Sequence, residues 1–325
     1  MGLVLLSFTL LTFFTPKIAV AAEITVIETP QASLGSRLSG AVVELPFKAN
    51  FTEASHSIAA FGVAYNTTGW TYMGFEAYMD ATNVTDQFDE QLGPDSVKIV
   101  ATDIRPANGT LSVKLKFRAT LVEGTYTFSW NYTLSAAPLP GPYPPDYEEG
   151  TGTTTVVVQK ARIRIALYEG WNLIGLPFEP ENATIEGLFA GNLSYVEAIY
   201  WYHNGTWYSW LGPGMTNTLT HMHAGRGYWV KVNSAFVQTV AGALILEEER
   251  PGLTTGWNLM SIVELNHTAT EFSPKPLEDY LAGYNWKAVF GYDAEDGEWT
   301  YYVRDVGGEL TQLRPGCGYW VYVKP

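Results

Sequence analysis

Residues 170–177 read Gly170-Trp171-Asn172-Leu173-Ile174-Gly175-Leu176-Pro177, and a second run, Gly225-Arg226-Gly227-Tyr228-Trp229-Val230-Lys231-Val232, follows some fifty residues later. Both return further along the chain. The opening recurs as Gly256-Trp257-Asn258-Leu259-Met260-Ser261 and the close as Gly316-Cys317-Gly318-Tyr319-Trp320-Val321-Tyr322-Val323. Between these brackets Thr184–Gly191 faces Pro276–Gly283, and Asn204-Gly205-Thr206-Trp207 faces Asp296-Gly297-Glu298-Trp299. Anchors matched in the same order imply an internal duplication, and a duplicated unit is a structural module before it is anything else. Neither copy contains a catalytic constellation.

Each copy reads as a small, β-rich α+β unit. Its first strand is Trp171–Pro177 or Trp257–Val263. A short helix follows, carrying Ile185, Leu188 and Phe189 at i, i+3, i+4, matched by Leu277, Tyr280 and Leu281. Ala198–Tyr202 and Trp207–Trp210 flank Asn204-Gly205, whose residue types suit the positive backbone angles of a tight hairpin. Asp296-Gly297 serves the second copy.

Upstream, residues 22–160 alternate with period two, as strands buried on one face do. Val43, Leu45, Phe47, Ala49 and Phe51 interleave with polar residues or Pro46, and Val113, Leu115, Phe117 and Ala119 interleave with Lys114, Lys116 and Arg118. Tyr126, Phe128, Trp130 and Tyr132 do the same. The Pro/Gly-dense run 136–152 is read as a loop before a closing strand at Thr153–Gln159. The fold class is therefore mainly β: a jelly-roll-like β-sandwich followed by two small repeated modules. The limits are 23–160 for the sandwich, 161–233 for the first module and 234–325 for the second.

Residues 3–14 form an apolar run too short to span a bilayer, ahead of Ala19-Val20-Ala21-Ala22, so 1–22 reads as a secretory signal peptide. Asn-x-Ser/Thr sites stand at Asn50, Asn66, Asn83, Asn108, Asn131, Asn182, Asn192, Asn204 and Asn266. Chance would give about two for this content of Asn, Ser and Thr. The expectation is an N-glycosylated protein, extracellular or on a cell surface, with no transmembrane anchor. One cysteine, Cys317, excludes an intrachain disulfide, and that combination fits an archaeal surface. A net charge of −14 argues against nucleic acid.

Two resemblances add to this. Gly40–Phe47, Ile58–Tyr65, Trp70–Phe75, Gly109–Phe117 and Glu123–Phe128 follow one another in an order that resembles the cohesin family. Cohesins are jelly-roll sandwiches that bind dockerins in cellulosomes; the resemblance implies the fold here and not the partner. The Gly-Trp-Asn-Leu…Gly-Tyr-Trp-Val brackets over 160–325 are similar to tandem modules of archaeal and some bacterial surface proteins, to which no common activity attaches.

Nine of the eleven tryptophans lie in the repeat half. The matched pairs Trp171/Trp257 and Trp229/Trp320 read as core, because packing residues are the ones a duplication keeps in place. Trp201 and Trp210 lack a Trp counterpart and are the candidates for an exposed carbohydrate-binding aromatic. His221 and His223 would share one side of a strand, yet no third metal ligand is evident. Asp293, Glu295, Asp296 and Glu298 form an acidic hairpin that could hold Ca²⁺, but their spacing lacks the ligand pattern of an EF-type loop and a solvated turn is the default reading. Lys114, Lys116 and Arg118 read as a wet strand face. Cys317 is expected to be exposed, since its counterpart is Arg226. No nucleophile elbow, zinc-protease motif or phosphate loop is present. No metal, cofactor or catalytic residue is expected. The functional expectation is a non-catalytic surface protein with a structural or adhesive role, associated with an S-layer or an extracellular filament. Its partners would be N-linked glycans, other surface proteins or a second copy through strand addition at a sandwich edge. The alternative is a carbohydrate-binding protein using exposed aromatics.

Overall fold

Alternating burial runs through the first half of the chain. In Val42–Thr52 the residues Val43, Leu45, Phe47, Ala49 and Phe51 are buried, and in Gly109–Ala119 Leu111, Val113, Leu115, Phe117 and Ala119 are. The computed structural model describes residues 22–52, 54–137 and 146–325. The run read as a signal peptide therefore lies outside the described residues, apart from Ala22.

These strands build two packed sheets. One takes the order Glu23–Glu28, Val42–Thr52, Gly109–Ala119, Trp70–Met79, Thr82–Asn83. The other runs Ser33–Leu38, Asp146–Gln159, Gly124–Ala137, His56–Ala64, Ser96–Ala101, Asp89–Leu92. All pairings in these two sheets are antiparallel except Ser33–Leu38 with Asp146–Gln159. The inner faces meet in one core in which Phe47, Phe61, Phe117, Phe128 and Trp130 are in ring contact. The closing strand is longer than the sequence suggests. Ala136 pairs with Asp146, so 146–152, read as loop, continues the ladder. Gly150 and Gly152 make that possible, since a Cβ at either would strike the rings of Tyr132 and Trp130.

In the second half, α-helix is confined to single turns at Ile185–Leu188 and Leu277–Tyr280 among the described residues. Each copy has an opening strand (Gly170–Gly175; Gly256–Ser261), a hairpin (Val196–His203 with Thr206–Trp210; Trp286–Asp293 with Glu298–Val303) and a closing strand (Gly227–Val232; Gly318–Val323). Both four-strand sets take the order opening, closing, first hairpin arm, second hairpin arm. The registers correspond too: Gly170 pairs with Val232 and Gly256 with Val323, Tyr200 with Trp229 and Phe290 with Trp320. Asn204 and Gly205 adopt φ of 49° and 80°, as a two-residue hairpin turn requires.

Phe236–Ala243 pairs along its length with Ala161–Leu167 and also with Glu179–Pro180. The strand after residue 233 thus belongs with the first sheet system and not with the second copy. The first copy shares its core with the sandwich, since Leu38 and Ala41 pack with Leu176, Phe178 and Leu244. Leu244 N donates to Ser39 O at 2.7 Å.

Candidate functional site

The duplicated motif can be read residue by residue. Asn172 is buried, and its Nδ2 donates to the carbonyls of Tyr168, Gly170 and Val230 while its Oδ1 accepts from Tyr168 N. Asn258 repeats this with Thr254, Gly256 and Val321. A buried carboxamide satisfied on this many sides fixes the turn that launches the opening strand. The tyrosines of the closing brackets point inward: Tyr228 Oη accepts from His223 N at 2.8 Å and Tyr319 Oη from Arg314 N at 2.7 Å. Burial pushes both phenols well above their usual pKa.

The neighbouring residues must then point the other way, because successive side chains in a strand alternate. Trp171 and Trp257 are 40% and 41% exposed, Trp207 and Trp299 50% each, and Trp229 and Trp320 are half-buried. This overturns the reading of Trp171, Trp257, Trp229 and Trp320 as core. Each sheet already has its core on the Tyr228 or Tyr319 face, so the indoles are left on the opposite face. Trp171 lies edge-on to Trp229 at 6.2 Å and 89°, and Trp257 lies on Trp320 at 6.1 Å and 89°.

The two sheets meet through these same faces. Gly175 N donates to Gly316 O at 3.1 Å and Ser261 N to Gly225 O at 3.0 Å, the pair of bonds that an internal two-fold axis generates. Ile174 bridges to Cys317 and Met260 to Arg226 in the same exchanged way. Approach is close enough to demand glycine: a Cβ on Gly227 would sit 2.7 Å from Met260 O, and one on Gly318 would sit 2.6 Å from Ile174 O. Leu173 and Leu259 are buried beside these contacts.

Rings therefore cross from one copy to the other. Trp229 touches Tyr292 and Trp299 at 5.3 and 5.7 Å, and Trp320 touches Tyr202 and Trp207 at 5.2 and 5.8 Å. Two open clefts result. One, of about 610 Å³, is lined by Trp171, Tyr200, Trp207, Trp229, Tyr292 and Trp299. The other, of about 600 Å³, is lined by Tyr202, Trp257, Phe290, Trp299, Tyr301 and Trp320. Every lining side chain is aromatic. A concave lining made wholly of aromatic side chains is a candidate docking or ligand site.

The other candidates fall elsewhere. Trp210 has no exposed surface, and its Nε1 donates to Glu186 at 2.8 Å, so it presents nothing to a ligand. It sits on the inward face of the hairpin. Trp201 is half-buried under the Arg226 guanidinium, 4.2 Å from the ring centroid, and beside Tyr208 at 5.2 Å. Neither lines a cleft. Cys317 is not exposed as expected but half-buried, because it lies against Ile174 of the other copy, and burial pushes its thiol pKa up.

His221 and His223 stack at 6.0 Å, with His223 Nδ1 2.7 Å from Glu179 and His221 Nδ1 2.8 Å from Thr220. Among the described residues no group of three or more His, Cys, Asp or Glu side chains is placed to hold a metal. In the acidic turn Glu295 accepts from Tyr168 Oη, a bond between the copies. Lys114, Lys116 and Arg118 are paired with Glu44, Glu76 and Glu249. Of the glycosylation candidates, Asn66, Asn83, Asn108, Asn131, Asn182, Asn204 and Asn266 are exposed. Asn50 and Asn192 are half-buried, and Asn192 Nδ2, the atom a glycan would take, donates to Gln238 at 3.0 Å.

No family model matches the chain, and no curated protein matches it. Among solved structures it is similar to cohesin modules. A type I cohesin from Pseudobacteroides cellulosolvens is 13% identical over 43% of this chain and 92% of that one, with a TM-score of 0.29. A non-cellulosomal cohesin from the archaeon Archaeoglobus fulgidus is 14% identical over 43% and 92%, at 0.27. The cohesin module of a family 33 glycoside hydrolase from Clostridium perfringens is 13% identical over 43% and 98%, at 0.25. Likeness at this level says nothing about activity or partners.

Proposed function

We propose that this protein is a non-catalytic adhesive or structural protein of an extracellular surface, and that it engages its partner through the aromatic double cleft. The observation that carries the reading is the exposure of a ring-lined face built jointly by both copies. A core has no use for half-exposed indoles, and Trp and Tyr are the side chains that concentrate binding energy when a partner desolvates them. The nine glycosylation sequences and the acidic surface support an exported, glycosylated chain. No helix among the described residues is long and apolar enough to cross a membrane. In this reading the sandwich is a rigid base for the duplicated half.

A carbohydrate ligand is the second reading, and the rings that would stack on it are those lining the clefts, not Trp201 or Trp210.

The test is co-sedimentation of the purified chain with a cell-envelope fraction. Paired substitution Trp207→Ala/Trp299→Ala is expected to weaken association at least tenfold with circular dichroism unchanged, since truncating one buried aromatic anchor costs about 2 kcal/mol or more. Undiminished sedimentation of the variant would remove the clefts from the binding surface.

A further inference from the structure

We propose that the two clefts are separate seats for neutral sugar rings, so that one chain holds two saccharide segments related by its internal two-fold. This rests on the clefts being the binding surface and names what fills them. Three observations point to that occupant.

The first is the chemistry of the lining. An aromatic face carries partial negative charge that attracts the polarised C–H groups of a pyranose face. Tyr200, Tyr202, Tyr292 and Tyr301 are among the lining residues, and a phenolic hydroxyl both donates and accepts, as sugar hydroxyls require. No lining side chain is charged. Lys231, paired in register with Trp171, is held by Glu197 at 2.8 Å. A charged ligand would lose its hydration and gain no counter-charge.

The second is size. About 600 Å³ each lies within the roughly 300–1,000 Å³ of small-ligand pockets. A stable protein partner needs a continuous surface of about 800 Å² a side. Here the aromatic area is divided between two shallow clefts that share Trp299.

The third is rigidity. Trp171 and Trp257 are braced by Trp229 and Trp320 and by Tyr200 and Phe290, so the platforms exist before a ligand arrives and little side-chain freedom is lost on binding. The seats are similar but unequal. Tyr322 packs on Trp257 at 5.2 Å where the first copy has Lys231, and Tyr301 lines the second cleft where the first copy has Ser209. The cleft of Trp257 is therefore the tighter one.

The test is calorimetric titration of the full chain with neutral hexose and N-acetylhexosamine hexasaccharides, run beside the envelope assay. The expected result for at least one sugar is two sites per chain of unequal affinity. Trp171→Ala should abolish the weaker site and Trp257→Ala the tighter, each leaving one, with both variants melting as the parent does. If either variant unfolds, the reading passes to Trp207→Phe, which lines the first cleft alone and should weaken the weaker site several-fold, and to Trp299→Phe, which lines both clefts and should weaken both sites. No saccharide binding at millimolar concentration, or binding untouched by these substitutions, overturns the proposal. If envelope association still depends on Trp207 and Trp299 while no sugar binds or competes, the clefts remain the docking surface and their occupant is a protein. If envelope association is also insensitive to them, both readings fall.

Discussion

His267 shows how one buried side chain can make stability depend on pH. Its Nδ1 is buried with no hydrogen-bond partner among the described residues. Burial, and then the positive charge of Arg118, hold its pKa below the ordinary 6.5 in spite of Glu248 and Glu264. In the unfolded chain the ring protonates near 6.5, so below that pH the unfolded state binds more protons than the folded one. The contribution is complete above 6.5 and is lost as pH falls toward the folded pKa. Replacement by Gln removes the titration. We predict that the melting temperature of the parent falls more steeply than that of His267→Gln as pH drops below 6.5, and that the curves are parallel above it. Parallel curves throughout would contradict the assignment. Nothing in the sequence marks His267, because burial, the larger cause, and the charge of Arg118 both act on it only in the folded chain.

At the scale of elements, the sandwich strands were legible because period-two burial leaves its mark in every few residues, as in Val43–Phe51 and Val113–Ala119. The hairpin turn at Asn204-Gly205 was legible from residue type alone. The clefts were not, although the signal was present. Tyr228-Trp229 and Tyr319-Trp320 are adjacent in strands, so one ring of each pair must face away from that sheet's core. Matched position across copies suggests packing, yet a duplication keeps an outward face as faithfully as an inward one. The second glycine of each closing bracket has a reason visible only in three dimensions. Gly227 and Gly318 admit the carbonyls of Met260 and Ile174 from the opposite copy. We predict that Gly227→Ala and Gly318→Ala each destabilise by about 1–3 kcal/mol, the usual cost of overpacking. Gly191→Ala, where a Cβ meets nothing within 4 Å, should change little. Equal melting temperatures for all three would show that the copies do not pack as described.

At the scale of the molecule, two copies of one unit make a surface that neither makes alone. Each copy buries one face of its sheet and leaves the other aromatic; joining them about a two-fold turns those faces into clefts with walls from both. The first copy and the connector that follows it are tied to the sandwich by a shared core and by pairs such as Arg162–Glu123 and Arg118–Glu249. Exposed pairs like these add little stability individually, so the apolar contact of Leu38 and Ala41 with Leu244 carries the junction. The arrangement gives the eleven tryptophans sharply different access to solvent. Oxidative footprinting read by mass spectrometry tests this most directly. Trp171, Trp207, Trp257 and Trp299 should be modified fastest, and Trp70, Trp210 and Trp286, which are buried, should be protected until the chain unfolds. Protection of Trp171 and Trp257 together with rapid oxidation of Trp210 would contradict the account.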